Sequence, residues 1–132
     1  MRLLPDTSIW VEYLRGRDTA TVAELDRYLD RESVLICGPV IAELLAGTAP
    51  QQRDDLWLAI GSLPWVPIDQ PAWRSIGEIA NGLRRGGVSV PLTDIAIAVA
   101  AANGEAELWT NDRDFQRIQE VLPALELHHT QS

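Results

Sequence analysis

Lysine is missing from this chain of 132 residues, so all 11 of its basic residues are arginines. A P-loop needs a lysine for its phosphates and Schiff-base chemistry needs an amine, so both are excluded. Receiver domains and haloacid-dehalogenase-type phosphatases also set acidic clusters on an α/β sheet. Each keeps a lysine beside the acids, so both are disfavoured by the same gap. Cysteine is nearly missing too: Cys37 stands alone, which rules out an internal disulfide and fits a reducing compartment. At the end of Val34-Leu35-Ile36 it reads as a buried structural thiol rather than a nucleophile.

No apolar run approaches the roughly 20 residues of a membrane span. Met1 leads into a strand-like segment rather than a signal peptide, so a cytoplasmic protein without membrane contact is expected. Positive charge is scarce, and the net charge of −8 argues against binding nucleic acid through a general positive field. Local binding stays open, because divalent ions would neutralise an acidic site and arginines can gather around it. The length fits one domain over residues 1–132. At 46% apolar and 23% charged, the composition is that of a globular protein. The polar end, about residues 128–132 with His128 and His129, reads as a disordered tail without a metal role.

What the chain does have is an alternation of short apolar strands and amphipathic helices. Arg2-Leu3-Leu4 reads as a buried strand stopped by Pro5, followed by a helix that ends near Gly16. Thr19 or Thr21 is the expected cap of a second helix. Val34-Leu35-Ile36-Cys37 reads as a buried parallel strand, and Gly38-Pro39 opens a helix with proline at a tolerated first-turn position. A helix over 51–62, a brief strand at Trp65-Val66 and a helix from Pro71 to Arg85 follow. The next helix is apolar on nearly all sides, with Thr93 as its expected cap and Asp94 in its first turn. Glu107 to Thr110 is a further strand, and a short helix and the strand Leu125-Glu126-Leu127 close the chain. This order indicates an α/β sandwich on a mostly parallel sheet, whose sites form at the carboxyl ends of strands.

Certain carboxylates stand isolated in apolar surroundings. Asp6 is the only charge between Arg2 and Glu12, Glu43 between Glu32 and Arg53, and Asp94 between Arg85 and Glu105. The pair Asp112 and Asp114 follows the strand that ends at Thr110. A lone carboxylate in an apolar run is costly to bury unless it is paired, protonated or on a metal. Each acid alone also reads as a helix cap, a turn residue or an exposed flank. Together they indicate a divalent-metal site assembled by the fold.

The segments Leu3-Leu4-Pro5-Asp6-Thr7-Ser8-Ile9-Trp10, Pro39-Val40-Ile41-Ala42-Glu43-Leu44-Leu45-Ala46-Gly47, Leu92-Thr93-Asp94-Ile95-Ala96-Ile97-Ala98 and Thr110-Asn111-Asp112-Arg113-Asp114-Phe115 occur in this order. In these four pieces the chain resembles the PIN-domain nucleases, most of all the VapC-like toxins of bacterial toxin–antitoxin pairs. Pro5 departs from the apolar residue usual before the first aspartate, but leaves the carboxylate in place. The resemblance implies a three-layer α/β/α sandwich and an endoribonuclease dependent on Mg2+ or Mn2+. It also implies a toxin that arrests translation, a cognate VapB-like antitoxin as partner, and a homodimer.

The chemistry agrees, since carboxylate-held divalent ions activate water and neutralise phosphate without histidine, serine or lysine. Hard oxygen ligands favour magnesium or manganese over zinc. Asp6, Glu43, Asp94 and Asp112 are the expected metal-binding and catalytic residues, with Asp6 and Asp94 the foremost direct ligands. Glu43 has a second reading as the group that orients or deprotonates the attacking water. Asp114 is a further ligand or a structural cap of the last helix. Thr7, Ser8 and Thr110 are supporting residues that bond a ligand carboxylate or phosphate, or cap and turn the chain. Arg15, Arg17, Arg84 and Arg85 are candidates for contact with RNA phosphates, against the plainer reading of solvated surface. The five tryptophans read as core or interface packing rather than base-stacking platforms. Two other classes stay open: a catalytically silent interaction module, and a DNA nuclease or phosphatase using the same acids. Asp6-Thr7-Ser8 lacks the Asp-x-Asp of a phosphoenzyme, which disfavours the phosphatase.

Overall fold

The computed structural model describes residues 1–130. Its strands are β1 (Arg2–Pro5), β2 (Ala106–Trp109) and β3 (Glu126–Leu127), all parallel, in the order β1-β2-β3. Around them run α1 (Thr7–Arg15), α2 (Thr19–Asp30), α3 (Gly38–Ala46), α4 (Arg53–Ile60), α5 (Gln70–Arg85), α6 (Leu92–Asn103) and α7 (Asp114–Val121). This is the expected α/β architecture, with helices flanking a parallel sheet. Among the described residues, no helix is long and apolar enough to cross a membrane.

The register of β1 on β2 fixes the site. Leu4 lies opposite Leu108 and Pro5 opposite Trp109, so both strands end at the same level. Just beyond, the Asp6 amide donates to the Trp109 carbonyl at 2.9 Å. Leu3, Leu4 and Leu108 are fully buried beneath this edge, as are Ile95 and Ile97 of α6. The apolar helix foreseen around Asp94 is thus central, and it packs on both β2 and α5.

Several expected elements are shorter or start elsewhere. Residues 34–36 and 65–66 add to the outer side of β1 through single parallel bridges, Leu3 with Val34 and Ile36 with Trp65, and not as full strands. The cause is local: Pro64 and Pro67 bracket one segment and lack the amides that would extend a ladder, while Gly38-Pro39 turns the other into α3. The helix expected over 51–62 divides into a single 3-10 turn at Pro50–Gln52 and then α4. Asp18, not Thr19 or Thr21, caps α2, accepting from the Ala20 and Thr21 amides at 3.2 and 3.3 Å. Thr93 does not cap α6 either. Pro91 holds the cap position and the helix starts at Leu92, which places Thr93 inside the first turn. Gly16 closes α1 with φ of 68°, a left-handed geometry that glycine adopts without strain.

Residue 128, where a tail was expected to start, is part of the fold. The His128 amide donates to the Leu108 carbonyl at 2.8 Å, and the side chain is only 6% exposed. Edge pairing with β2 and a buried ring hold this residue in the fold. His129 is exposed, and residues 131 and 132 of the expected tail lie outside the described residues. Cys37 is buried, as anticipated, and burial pushes its thiol up to about 11.

Candidate metal centre

Asp6 leaves β1 and becomes the cap of α1, so one side chain serves both helix start and site. Its Oδ1 accepts from the Ser8 hydroxyl at 2.5 Å and from the Ile9 amide at 3.1 Å. Its Oδ2 accepts from the Thr110 hydroxyl across the strand ends. Only 4% of the residue is exposed. Burial raises its carboxyl above the usual range, and the hydrogen bonds from Ser8, Thr110 and the Ile9 amide pull against that. Oδ2 keeps a lone pair beyond the one that Thr110 engages.

The donors to Asp6 are themselves anchored. Thr110 Oγ1 accepts from the Asp112 amide at 2.9 Å, and Ser8 Oγ accepts from the Asn111 amide at 3.1 Å. The loop after β2 is thereby tied to the start of α1 on both sides. Asp112 Oδ1 in turn accepts from the Asp114 amide at 2.9 Å. The capping role considered for Asp114 is therefore not its own: Arg113 holds the cap position of α7, and Asp112 bonds the amide. Glu43 on α3 accepts from the Thr7 hydroxyl at 2.7 Å, so Thr7 and Ser8 each orient a different acid.

Asp94, Asp112 and Asp114 each offer a carboxylate oxygen, and these oxygens lie within 4.8 Å of one another. Asp6 and Glu43 stand beside this tight trio rather than within it. Asp94 shows their convergence: burial is the main cause that pushes its carboxyl up to about 6. The charges of Asp112, Glu43, Asp6 and Asp114 follow in that order. Among the described residues, no arginine or histidine forms an ion pair with any of the five. A cluster of all-oxygen donors with no protein cation fits a hard divalent ion. The sequence reading took Asp6 and Asp94 as the foremost direct ligands; the structure groups Asp94 with Asp112 and Asp114, and the charges of Glu43 and Asp6 also bear on Asp94.

Arg15 and Arg17 lie at the far end of α1 from Asp6, and Arg84 and Arg85 at the end of α5; all four are exposed. Trp10 and Trp109 are core residues, as expected, whereas Trp65 and Trp73 are 43% and 52% exposed. These two line an apolar groove of about 460 Å³ with Pro39, Ala42 and Leu92. Ala42 precedes Glu43, so the groove opens beside the acids. Of the two readings given for the tryptophans, core or interface packing, exposure excludes the core for Trp65 and Trp73.

The family model for the PIN domain matches residues 3–121. The chain belongs to the PIN domain family. Within that family it is 30% identical over 124 residues to the VapC ribonuclease Mb1587 of Mycobacterium bovis, covering 90% of this chain and 92% of the relative. It is 33% identical over 114 residues to ribonuclease VapC32 of Mycobacterium tuberculosis, covering 84% and 85%. Its PIN fold also matches DNA-bound VapBC from Salmonella typhimurium, with a TM-score of 0.77, 23% identity and 97% of each chain covered. The promoter-bound VapBC2 of Rickettsia felis matches with a TM-score of 0.76 and 24% identity, over 97% and 98%.

Proposed function

We propose that this PIN domain is a metal-dependent endoribonuclease, the toxin half of a toxin–antitoxin pair, which cuts RNA phosphodiester bonds and so inhibits translation. The observation that carries the reading is the convergence of Asp6, Glu43, Asp112 and Asp114 on Asp94 with no protein cation among them. The ribonuclease names of its relatives support the same reaction class.

Asp94, Asp112 and Asp114 would hold the ion, Mg2+ or Mn2+, with Asp6 as a further ligand. When bound, it would supply charge neutralisation at the scissile phosphate and make the attacking water more acidic. Glu43, steadied by Thr7, accepts the proton of the attacking water. Ser8 and Thr110 keep the Asp6 carboxylate aimed, as the outer partners of metal ligands do. The exposed arginines contact RNA phosphates outside the acidic zone, where a net charge of −8 leaves little attraction otherwise.

The protein acts in the cytoplasm, as a homodimer, under a VapB-like antitoxin. The acidic centre and the apolar groove beside it suit a partner segment that carries a basic side chain next to an apolar one. The test is purified, antitoxin-free protein incubated with total bacterial RNA, with Mg2+, Mn2+ or EDTA, beside Asp94→Ala. Discrete products that need metal and vanish in the variant support the proposal. RNA left intact under every condition, with no metal bound, would return the fold to an interaction module.

A further inference from the structure

The apolar groove and the acidic centre are built on the same two helices. Ala42 of α3 and Thr93 of α6 line the groove. Each directly precedes an acid of the centre, Glu43 in one case and Asp94 in the other. An occupant of the groove therefore sits beside the acids, and continuity runs through α3 and α6 alike. Among the described residues, no charged side chain lines the groove, and its volume of about 460 Å³ is that of a small-ligand site.

Trp65 is fixed in place yet uncovered. Its indole N–H donates to the Gly61 carbonyl at 2.7 Å. The Trp57 ring meets it at 5.9 Å between centroids, and its backbone bridges to Ile36. It is nonetheless 43% exposed, and Trp73, in the first turn of α5, is 52% exposed. An indole already held in position has little freedom left to lose when a ligand stacks on it.

RNA approaching this edge meets five acids with which, among the described residues, no arginine or histidine pairs. The net charge of −8 adds no general attraction. Grip next to the centre then has to come from uncharged contact. Stacking of bases on aromatic rings supplies it, because every base has a π-face.

We propose that the groove between Trp65 and Trp73 binds an unpaired nucleobase of the RNA, next to the phosphate that is cut. Trp65 is the fixed platform and Trp73 the second wall, so the site selects single-stranded RNA. The interface that these indoles make is with RNA, and a partner segment entering the groove competes for it. The inference rests on the nuclease reading for the identity of the strand; the binding test does not depend on cleavage.

The test uses the antitoxin-free full chain carrying Asp94→Asn, which does not cut, with Mn2+. Fluorescence anisotropy compares a labelled oligo(A) RNA of about six nucleotides with an abasic ribose-phosphate strand of the same length. The base-bearing strand should bind at least about fivefold tighter, the low end for one stacked base. Adding Trp73→Leu, which keeps an apolar side chain but no ring, should abolish that preference, and Trp73→Phe should restore most of it. Leu58→Ala, an exposed apolar residue outside the groove lining, should match the parent. Equal binding of the two strands, binding of neither, or a preference that survives Trp73→Leu overturns the proposal. So does a loss that comes with a changed oligomeric state in size-exclusion chromatography, which would make the groove a contact between copies. In cleavage of total RNA, Trp73→Leu alone should raise KM about fivefold or more with kcat kept. If wild type cuts no RNA but the base preference and its loss in Trp73→Leu are seen, the nuclease reading fails and the base site stands. If cleavage is normal and KM is unmoved by Trp73→Leu, the nuclease reading stands and the base site fails.

Discussion

Between Glu24 and Glu107 the chain places the imidazole of His128, whereas among the described residues no basic side chain pairs with Asp94, Asp112 or Asp114. Both clusters gather acids from separate elements. In the first, Tyr28 and Trp109 close over the ring. The second is half-open, and burial together with the neighbouring carboxylates pushes the Asp94 carboxyl up to about 6. With 11 arginines available, the lack of one on the second cluster is a property of the site and not of composition. A fold that leaves like charges together sacrifices stability for a ligand that arrives from outside.

The largest expected effect separates the clusters by sign. Asp94→Asn should lower metal-dependent cleavage by at least about a hundredfold, beyond what loss of an outer partner costs. The same change should raise the melting temperature of EDTA-treated protein, because it removes one of five crowded charges. A variant both inactive and less stable would mean that Asp94 belongs to a satisfied hydrogen-bonded network. Next come the donors to Asp6. Thr110→Val keeps the shape but strips a hydroxyl from a buried carboxylate, and should cost about 1–3 kcal/mol in urea unfolding together with about tenfold in cleavage.

Acidity gives the third contrast. The folded Asp94 carboxyl titrates at about 6, against about 3.9 for an unperturbed aspartate. Between those values the folded state binds more protons than the unfolded one, so stability without metal falls as pH rises through that window. Melting scans with EDTA should show this slope, and saturating Mn2+ should erase it by replacing the proton. The smallest effect belongs to Arg27, a partner exposed at 55% and 3.9 Å from Glu24. Arg27→Ala should change stability by less than about 0.5 kcal/mol, because exposed pairs contribute little.

The acids of the site were legible in the sequence because burying a lone carboxylate is expensive, so Asp6, Glu43 and Asp94 stand out against apolar neighbours. Their relative closeness was not. It depends on the turn by which Asp112 bonds the Asp114 amide, which the Asp-Arg-Asp spacing allows but does not require. Val34 to Cys37 shows the converse: the apolar pattern identified a buried extended segment, while the flanking prolines and α3 decided how little of it could pair. His128 was read as tail because its partners come from α2 and β2, and no local pattern near residue 128 announces them. Thr93 failed as a cap for a related reason, since a proline two residues earlier let the helix begin before it.

Asp6 is at once the cap of α1, a hydrogen-bonded anchor between two strand ends and a member of the acidic centre. Asp94 has none of the first two duties. On the proposed toxin–antitoxin function, a cell that survives the protein by mutation therefore has two kinds of escape open to it. Changes at Asp94 should leave a full-length, folded and inert protein that still occupies the antitoxin and can be recovered intact. Changes at Asp6 should mostly delete the protein itself through misfolding and proteolysis. Survivors sequenced alongside an immunoblot would sort into these two groups, and the split between them would measure how much of the centre is architecture.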